Sequence, residues 1–107
     1  MNKFRQFDVW YVDLNLTIGS EINKIRPCVI ISPKELNWLN TLIIAPLTTK
    51  GFNSPTRIEF IFNNKTNLVL LDQLRTVDKK RFIRNVGYIQ KNTQEKISQT
   101  LIEMFSL

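Results

Sequence analysis

The sequence predicts a mainly β fold, a small and strongly bent antiparallel sheet or barrel with one short helix and a terminal helix. Three observations carry this. Short apolar or alternating runs recur along the chain with turn residues between them. Helix-start signals stand at Ser32-Pro33-Lys34-Glu35 and at Asn92-Thr93-Gln94-Glu95. At 107 residues, with 43% hydrophobic, the chain has room for one domain and one packed core.

Each element has a local reason. Phe7 to Asp13 alternates, with Val9, Tyr11 and Asp13 on one side and Asp8, Trp10 and Val12 on the other. Leu14 to Ile25 reads as a loop, because Asn15, Gly19 and Asn23 are turn residues. Cys28 to Ser32 is a continuous apolar strand, expected to be central, with Pro27 at its first position, where a missing donor matters least. Ser32 as cap, Pro33 in the first turn and Glu35 in the capping box predict a short helix to about Leu39.

Leu42 to Leu47 is a second buried strand, followed by a polar loop from Thr48 to Thr56 that contains Gly51 and Pro55. Arg57 to Phe62 alternates as a strand with one wet face. Asn63 to Asn67 is a turn, Leu68 to Leu71 the returning strand, and Val86 to Gln90 a further short strand. Asn92 caps the last helix and Glu95 reaches back to it. Ile97, Leu101, Met104 and Phe105 fall at helical spacing and form its apolar face, which packs on the sheet.

Composition narrows the chemistry. There is no histidine, so the commonest acid–base group and metal ligand is missing. Cys28 is the lone cysteine, which leaves no internal disulfide, and its apolar strand suits a buried structural thiol. No Asp/Glu pair has persuasive spacing for magnesium. No cofactor is expected, and any catalysis is expected to run on Arg, Thr and carboxylates without metal. Fifteen basic against 9 acidic residues give a net charge of +6, which attracts nucleic acid or an acidic protein and equally serves solubility. No apolar run approaches the ~20 residues of a membrane span, and the first residues lack the apolar stretch of a signal peptide. The expectation is a cytoplasmic protein without membrane contact.

One stretch places chemistry beside two strands. Gly19-Ser20-Glu21 supplies a permissive turn and a carboxylate, and Arg26-Pro27 supplies a planar fork of donors suited to phosphate. Taken with Ala45-Pro46-Leu47-Thr48-Thr49-Lys50 and Leu71-Asp72-Gln73-Leu74-Arg75-Thr76-Val77-Asp78, it suggests RNA cutting. These segments, together with Asp8-Val9-Trp10-Tyr11-Val12-Asp13-Leu14, Cys28-Val29-Ile30-Ile31-Ser32-Pro33 and Pro55-Thr56-Arg57, stand in the order found in one family. Over nearly its whole length the chain resembles the MazF/PemK toxin endoribonucleases of type II toxin–antitoxin systems.

The resemblance implies an SH3-like small barrel of CcdB/PemK type, residues 1–107 forming one toxin domain. It implies a homodimer that cuts single-stranded RNA at short sequences without metal, and a cognate acidic antitoxin whose flexible tail covers the RNA site. DNA would be met only through the toxin–antitoxin complex. By the same resemblance Arg26 is the active-site arginine, stabilising the phosphorane, and Thr48 the catalytic threonine, with Thr49 its neighbour. Glu21 accepts the 2′-OH proton or orients Arg26, and by itself reads equally as an exposed loop carboxylate.

Lys24, Lys50 and Arg57 flank the loops as phosphate contacts, and Pro27, Thr49, Phe52 and Gln73 belong to the RNA-binding set. Phe52 and Trp38 are aromatics that could stack on bases, although packing of the short helix is the commoner role for Trp38. Asp72 and Arg75 are assigned a structural or dimer-interface role, Asp72 as a base or as an anchor for an arginine. Some relatives use an arginine two positions before that aspartate; Leu70 stands there in this chain. Lys79-Lys80-Arg81 and Arg84 form a basic cluster, read mainly as a solvated charge run. Two alternatives stand beside the nuclease: a non-enzymatic CcdB-like toxin that grips DNA gyrase, and an RNA-binding relative without cleavage.

Overall fold

The computed structural model of the protein describes residues 3–15 and 25–106, and among these described residues seven strands and one α-helix follow one another. The strands are β1 (Asp8–Asp13), β2 (Ile25–Ile30), β3 (Thr41–Thr48), β4 (Arg57–Phe62), β5 (Lys65–Leu70), β6 (Arg75–Asp78) and β7 (Phe82–Tyr88), and the helix is α1 (Lys91–Phe105). Single 3₁₀ turns lie at Lys34–Leu36, Leu71–Gln73 and Lys79–Arg81. The sheet is antiparallel throughout, in the order β4-β5-β3-β2-β1-β7, with β6 also paired to β3. Its two ends curl toward each other: the Phe62 ring at the end of β4 lies over the backbone of Gly87 in β7.

The pleat sends alternate residues of the same strands into two cores. Val9, Val29, Ala45, Leu47 and Val69 gather on one face, where Ile97 of α1 joins them and Leu101 and Met104 pack alongside. Trp10, Val12, Cys28, Ile30, Ile44 and Val77 gather on the other, closed by Phe82 and Phe4. Burial on both faces is why Cys28 to Ile31 reads as one unbroken apolar run.

Strand β3 changes neighbours along its length, and two prolines mark the change. On one side it pairs with β2 as far as Cys28↔Pro46. Ile31 N donates to Ile43 O, so by alternation Pro27 turns its nitrogen toward β3 and has no N–H to continue that ladder. On its other side β3 pairs with β6 through Ile44↔Arg75 and then with β5 from Leu47↔Val69. Pro46 turns its nitrogen into the interval between these two partners, where no ladder donor is called for. The end of β3 therefore leaves with β5, while the start of β2 stays with β1.

Several sequence expectations need correction. Strand β2 begins at Ile25, which puts Pro27 inside it rather than at its start, opposite Tyr11. Ser32 caps nothing: it is buried, and its hydroxyl accepts from Ile43 N at 3.1 Å, which reduces the expected helix to one 3₁₀ turn and further turns to Leu39. The turn after β4 is only Asn63-Asn64, with φ of 54° and 61°, the left-handed pair of a type I′ hairpin, so β5 starts at Lys65.

Strand β6 was not anticipated, and β7 begins at Phe82 and ends at Tyr88, earlier than expected. Helix α1 starts after Gln90. Asn92 accepts only from Thr93 N, and the end is tied by Gln94 Nε2 donating to Ile89 O at 2.7 Å instead of by Glu95. Phe105 is 70% exposed and leaves the apolar face that Ile97, Leu101 and Met104 form.

A Cβ on Gly87 would stand 3.1 Å from the Phe62 ring, at a backbone φ of +156°. Gly87→Ala is expected to destabilise the protein by about 1–3 kcal/mol, through the displaced ring and the strained backbone. An unchanged midpoint in urea unfolding would refute the contact.

Candidate nucleic-acid cleft

The cleft opens where β2 and β3 part. Arg26 lies two residues before Cys28, and Thr48 lies four after Ile44, so the pleat turns both toward the face that carries Cys28 and Ile44. Arg75 is paired with Ile44 across the β3–β6 ladder and shares that face. All three line one cleft of about 620 Å³ with Lys50, Arg57 and Gln73, over an apolar floor of Leu14, Pro46, Leu47, Leu70 and Leu74. Four cations and no carboxylate stand among these lining residues, so the described walls focus positive potential into a concave space.

Thr48 is held in a defined role by its own loop. Its Oγ1 accepts from Lys50 N at 3.1 Å, which leaves the hydroxyl proton free to donate elsewhere. Arg26 is exposed and accepts no constraint from a described carboxylate. A second cavity of about 320 Å³ shares Arg26, Leu47, Thr48 and Lys50 and adds Pro27, Thr49 and Asn67. A third, of about 190 Å³, shares Pro27, Thr49 and Asn67 and extends to Tyr11, Phe62, Asn63 and Lys65. The three make one groove with Arg26 and Thr48 near its middle.

At one mouth of the groove a clasp orders the loop after β3. Asp72 accepts from Arg57 Nε at 3.1 Å and from Arg57 Nη2 at 3.2 Å, and also from Thr56 Oγ1 at 3.2 Å. The guanidinium of Arg57 in turn lies 4.5 Å from the centroid of the Phe52 ring. Arg57 thus spends two donors inside the protein and keeps Nη1 for a ligand. Phe52 is 68% exposed, and it rests one face on that cation. The Arg57 hydrogen bonds, ahead of the smaller Thr56 contribution, hold the Asp72 carboxyl below its ordinary 3.8.

The remaining sequence candidates fall in three groups. Glu21 and Lys24 lie outside the described residues. Trp38 is 79% exposed and does not pack the short turn. The basic run 79–81 is not merely solvated: Lys79 Nζ donates to Asn37 O and Arg81 Nη1 to Asn15 O at 2.7 Å, tying neighbouring segments together. Arg84 stacks on Tyr11 with its Cζ 5.2 Å from the ring centroid. Sequence reasoning took Asn67 for a turn residue and did not place Tyr11 in the groove; the signal lay in alternation, which turns Asn67 inward once the hairpin turn shrinks to Asn63-Asn64. Among the described residues, no three His, Cys, Asp or Glu side chains converge as metal ligands would.

Known proteins share this architecture. The model of a family described as PemK-like, MazF-like toxin of type II toxin–antitoxin system matches residues 5–105. An endoribonuclease MazF of Staphylococcus epidermidis is 31% identical over 104 residues, covering 91% of this chain and 87% of that protein. The MazF–MazE crystal structure (Form II) of Deinococcus radiodurans superposes with a TM-score of 0.84 at 15% identity, over 100% of this chain and 99% of the other. A mycobacterial endoribonuclease in complex with its cognate antitoxin gives 0.80 at 22% identity, over 97% and 96%. At these identities the two structures attest the fold, a mainly β curled sheet with one C-terminal helix.

Two measurements follow from the ionisation of the site. Burial pushes the Cys28 thiol up to about 12, against the smaller pull of Arg75 and Arg26. Native protein at pH 8 is expected to resist 5,5′-dithiobis(2-nitrobenzoate), with one thiol appearing only in guanidinium; rapid native labelling would contradict this. Asp72 has a lowered pKa, so its clasp is complete above its unfolded value of 3.8 and is lost as pH falls through the lower folded value. The Arg57 Nε–H resonance is expected to stay protected at pH 5 and to fade only in stronger acid; fading already near neutrality would show that the pair does not form.

Proposed function

We propose that this chain, which belongs to the PemK-like, MazF-like toxin family of type II toxin–antitoxin systems, is an endoribonuclease whose cleft holds the scissile phosphate of single-stranded RNA between Arg26 and Thr48. The observation that carries the reading is that these two residues, distant in sequence, line the same cationic cleft. The ribose 2′-oxygen attacks the adjacent phosphorus, the P–O5′ bond breaks, and the 2′-OH proton leaves while the 5′ oxygen gains one. The products are a 2′,3′-cyclic phosphate and a 5′-OH end. Charge accumulates on the phosphoryl oxygens in the transition state, and donors aimed there are what accelerate the step.

Arg26 supplies two parallel donors to those oxygens and stays charged throughout. Thr48, one of its lone pairs occupied by Lys50 N, donates its proton to a phosphoryl or leaving oxygen. Arg75 and Lys50 add charge along the strand's backbone, which moves Arg75 from a purely structural role to the groove wall. Phe52, braced by Arg57 and Asp72, offers its free face to an unpaired base. Glu21 is the candidate base, and Gln73, Thr49 and Pro27 complete the walls.

Residues 1–107 act as one toxin domain in the cytoplasm, as a homodimer, with an acidic antitoxin seated over the same cationic groove. No helix of the described chain is long and apolar enough to cross a membrane.

The test is purified protein incubated with a long mixed-sequence RNA in EDTA. Cutting with cyclic-phosphate ends is expected, about 10³-fold slower for Arg26→Ala and about 10²-fold slower for Thr48→Ala, with RNA affinity little changed for Thr48→Ala. Binding without cutting would leave an RNA-binding relative, and neither binding nor cutting would favour a protein-gripping toxin.

A further inference from the structure

The far end of the groove carries a polar group that the reaction above does not use. Asn67 is 4% exposed, in β5, and lines both the second and the third cavities. Its Nδ2 donates to Phe62 O at 3.3 Å and to Lys65 O at 3.1 Å, which engages both amide protons in closing the hairpin. The reverse amide orientation would set Oδ1 against two carbonyl oxygens, so the orientation is settled by the hairpin itself. What remains is Oδ1. It has no hydrogen-bond partner among the described residues, and Asn67 stands in the wall of both cavities. Its amide is thus fixed by backbone in the wall of a small cavity that Tyr11, Pro27, Phe62 and Lys65 also line.

We infer that this cavity is a nucleobase subsite, in which Asn67 Oδ1 accepts a hydrogen bond from the exocyclic amino group of the unpaired base next to the scissile phosphate. The inference rests on the RNA-cleaving reading of the adjoining cleft and adds a specificity-determining residue to it. The cavity of about 190 Å³ takes one planar ring system, and Tyr11, Pro27 and Phe62 supply apolar faces for it. Adenine, cytosine and guanine each present an amino group. Uracil has none; its one base donor, N3–H, is flanked by two carbonyl oxygens that would meet Oδ1 with like partial charge. The same polarity disfavours an acidic peptide in this pocket, since a carboxylate facing an amide oxygen is repelled.

The experiment uses the whole protein. Cuts made by the wild type in a mixed-sequence RNA are mapped first. A short oligoribonucleotide across the preferred cut is then made with each flanking base replaced in turn by an analogue lacking its amino group: purine riboside for adenosine, inosine for guanosine, 2-pyrimidinone riboside for cytidine. At one flanking position kcat/KM is expected to fall about fivefold to tenfold, the worth of one hydrogen bond. Asn67→Ala and Asn67→Ser, checked for folding by thermal melting, are expected to cut parent and analogue equally.

Insensitivity at every flanking position in the wild type overturns the subsite without any variant, as does uracil preferred at the sensitive position. Sensitivity that persists in a folded Asn67 variant overturns it too. So does base preference left intact while Asn67→Ala loses binding to poly-L-glutamate, which would make this end a peptide seat. Failure of the wild type to cut RNA at all is a different result: it removes the nuclease reading itself, and the subsite with it.

Discussion

Strand β3 cannot keep one set of neighbours along its whole length, and the cleft exists because of that. Through Pro46 it is held by β2; beyond, it is held by β5. Pro27 has no N–H to offer across the widening gap, and Pro46 has none to offer on the other side at the switch from β6 to β5. A residue with a free N–H at either place would leave a donor seeking a partner in a partly buried setting. With proline the two strands diverge without an orphaned group, and the side chains at the divergence, Arg26 and Thr48, are left facing a common space.

The polar order of the groove follows from how its own backbone is closed. At its centre the Thr48 hydroxyl accepts from Lys50 N, which orients it and leaves its proton free to donate. At one end Asp72 fixes Arg57, and Arg57 supports Phe52. At the other end two hairpin carbonyls fix the amide of Asn67 and leave it an acceptor. Each group is oriented by the protein's own bonds, so little ordering would remain to oppose a ligand that binds there. Asp72 is thereby a support for a cation, its oxygens already accepting three hydrogen bonds, which argues against it as the proton acceptor.

Much of this was legible from residues alone, where the signal was local. Strands β1, β3 and β4 stood out because alternation or a dense apolar run is written into consecutive side chains, and the last helix stood out by its 3.6-residue period. The failures share a cause. Ser32 and Asn92 sit where caps belong, but a cap competes with other backbone partners, and the Ser32 hydroxyl instead accepts from Ile43 N. Strand β6 has one buried residue, Val77, in a run of polar neighbours; it is a strand because β3 offers an open edge there. Asn67 looked like the fifth residue of a loop until two left-handed asparagines closed the hairpin earlier.

Residue order by itself determined the mainly β class, the family resemblance and the cationic balance, and it singled out Arg26 and Thr48 as candidates, because each depends on neighbours in sequence or on the ordered set of segments. The tertiary structure alone decided that β3 forks, that Arg57 pairs with Asp72, that Arg75 lines the cleft, and that Asn67 lines the groove with its amide held by two hairpin carbonyls. Those outcomes are contests between partners far apart along the chain, and only the closed sheet brings the competitors within hydrogen-bonding distance.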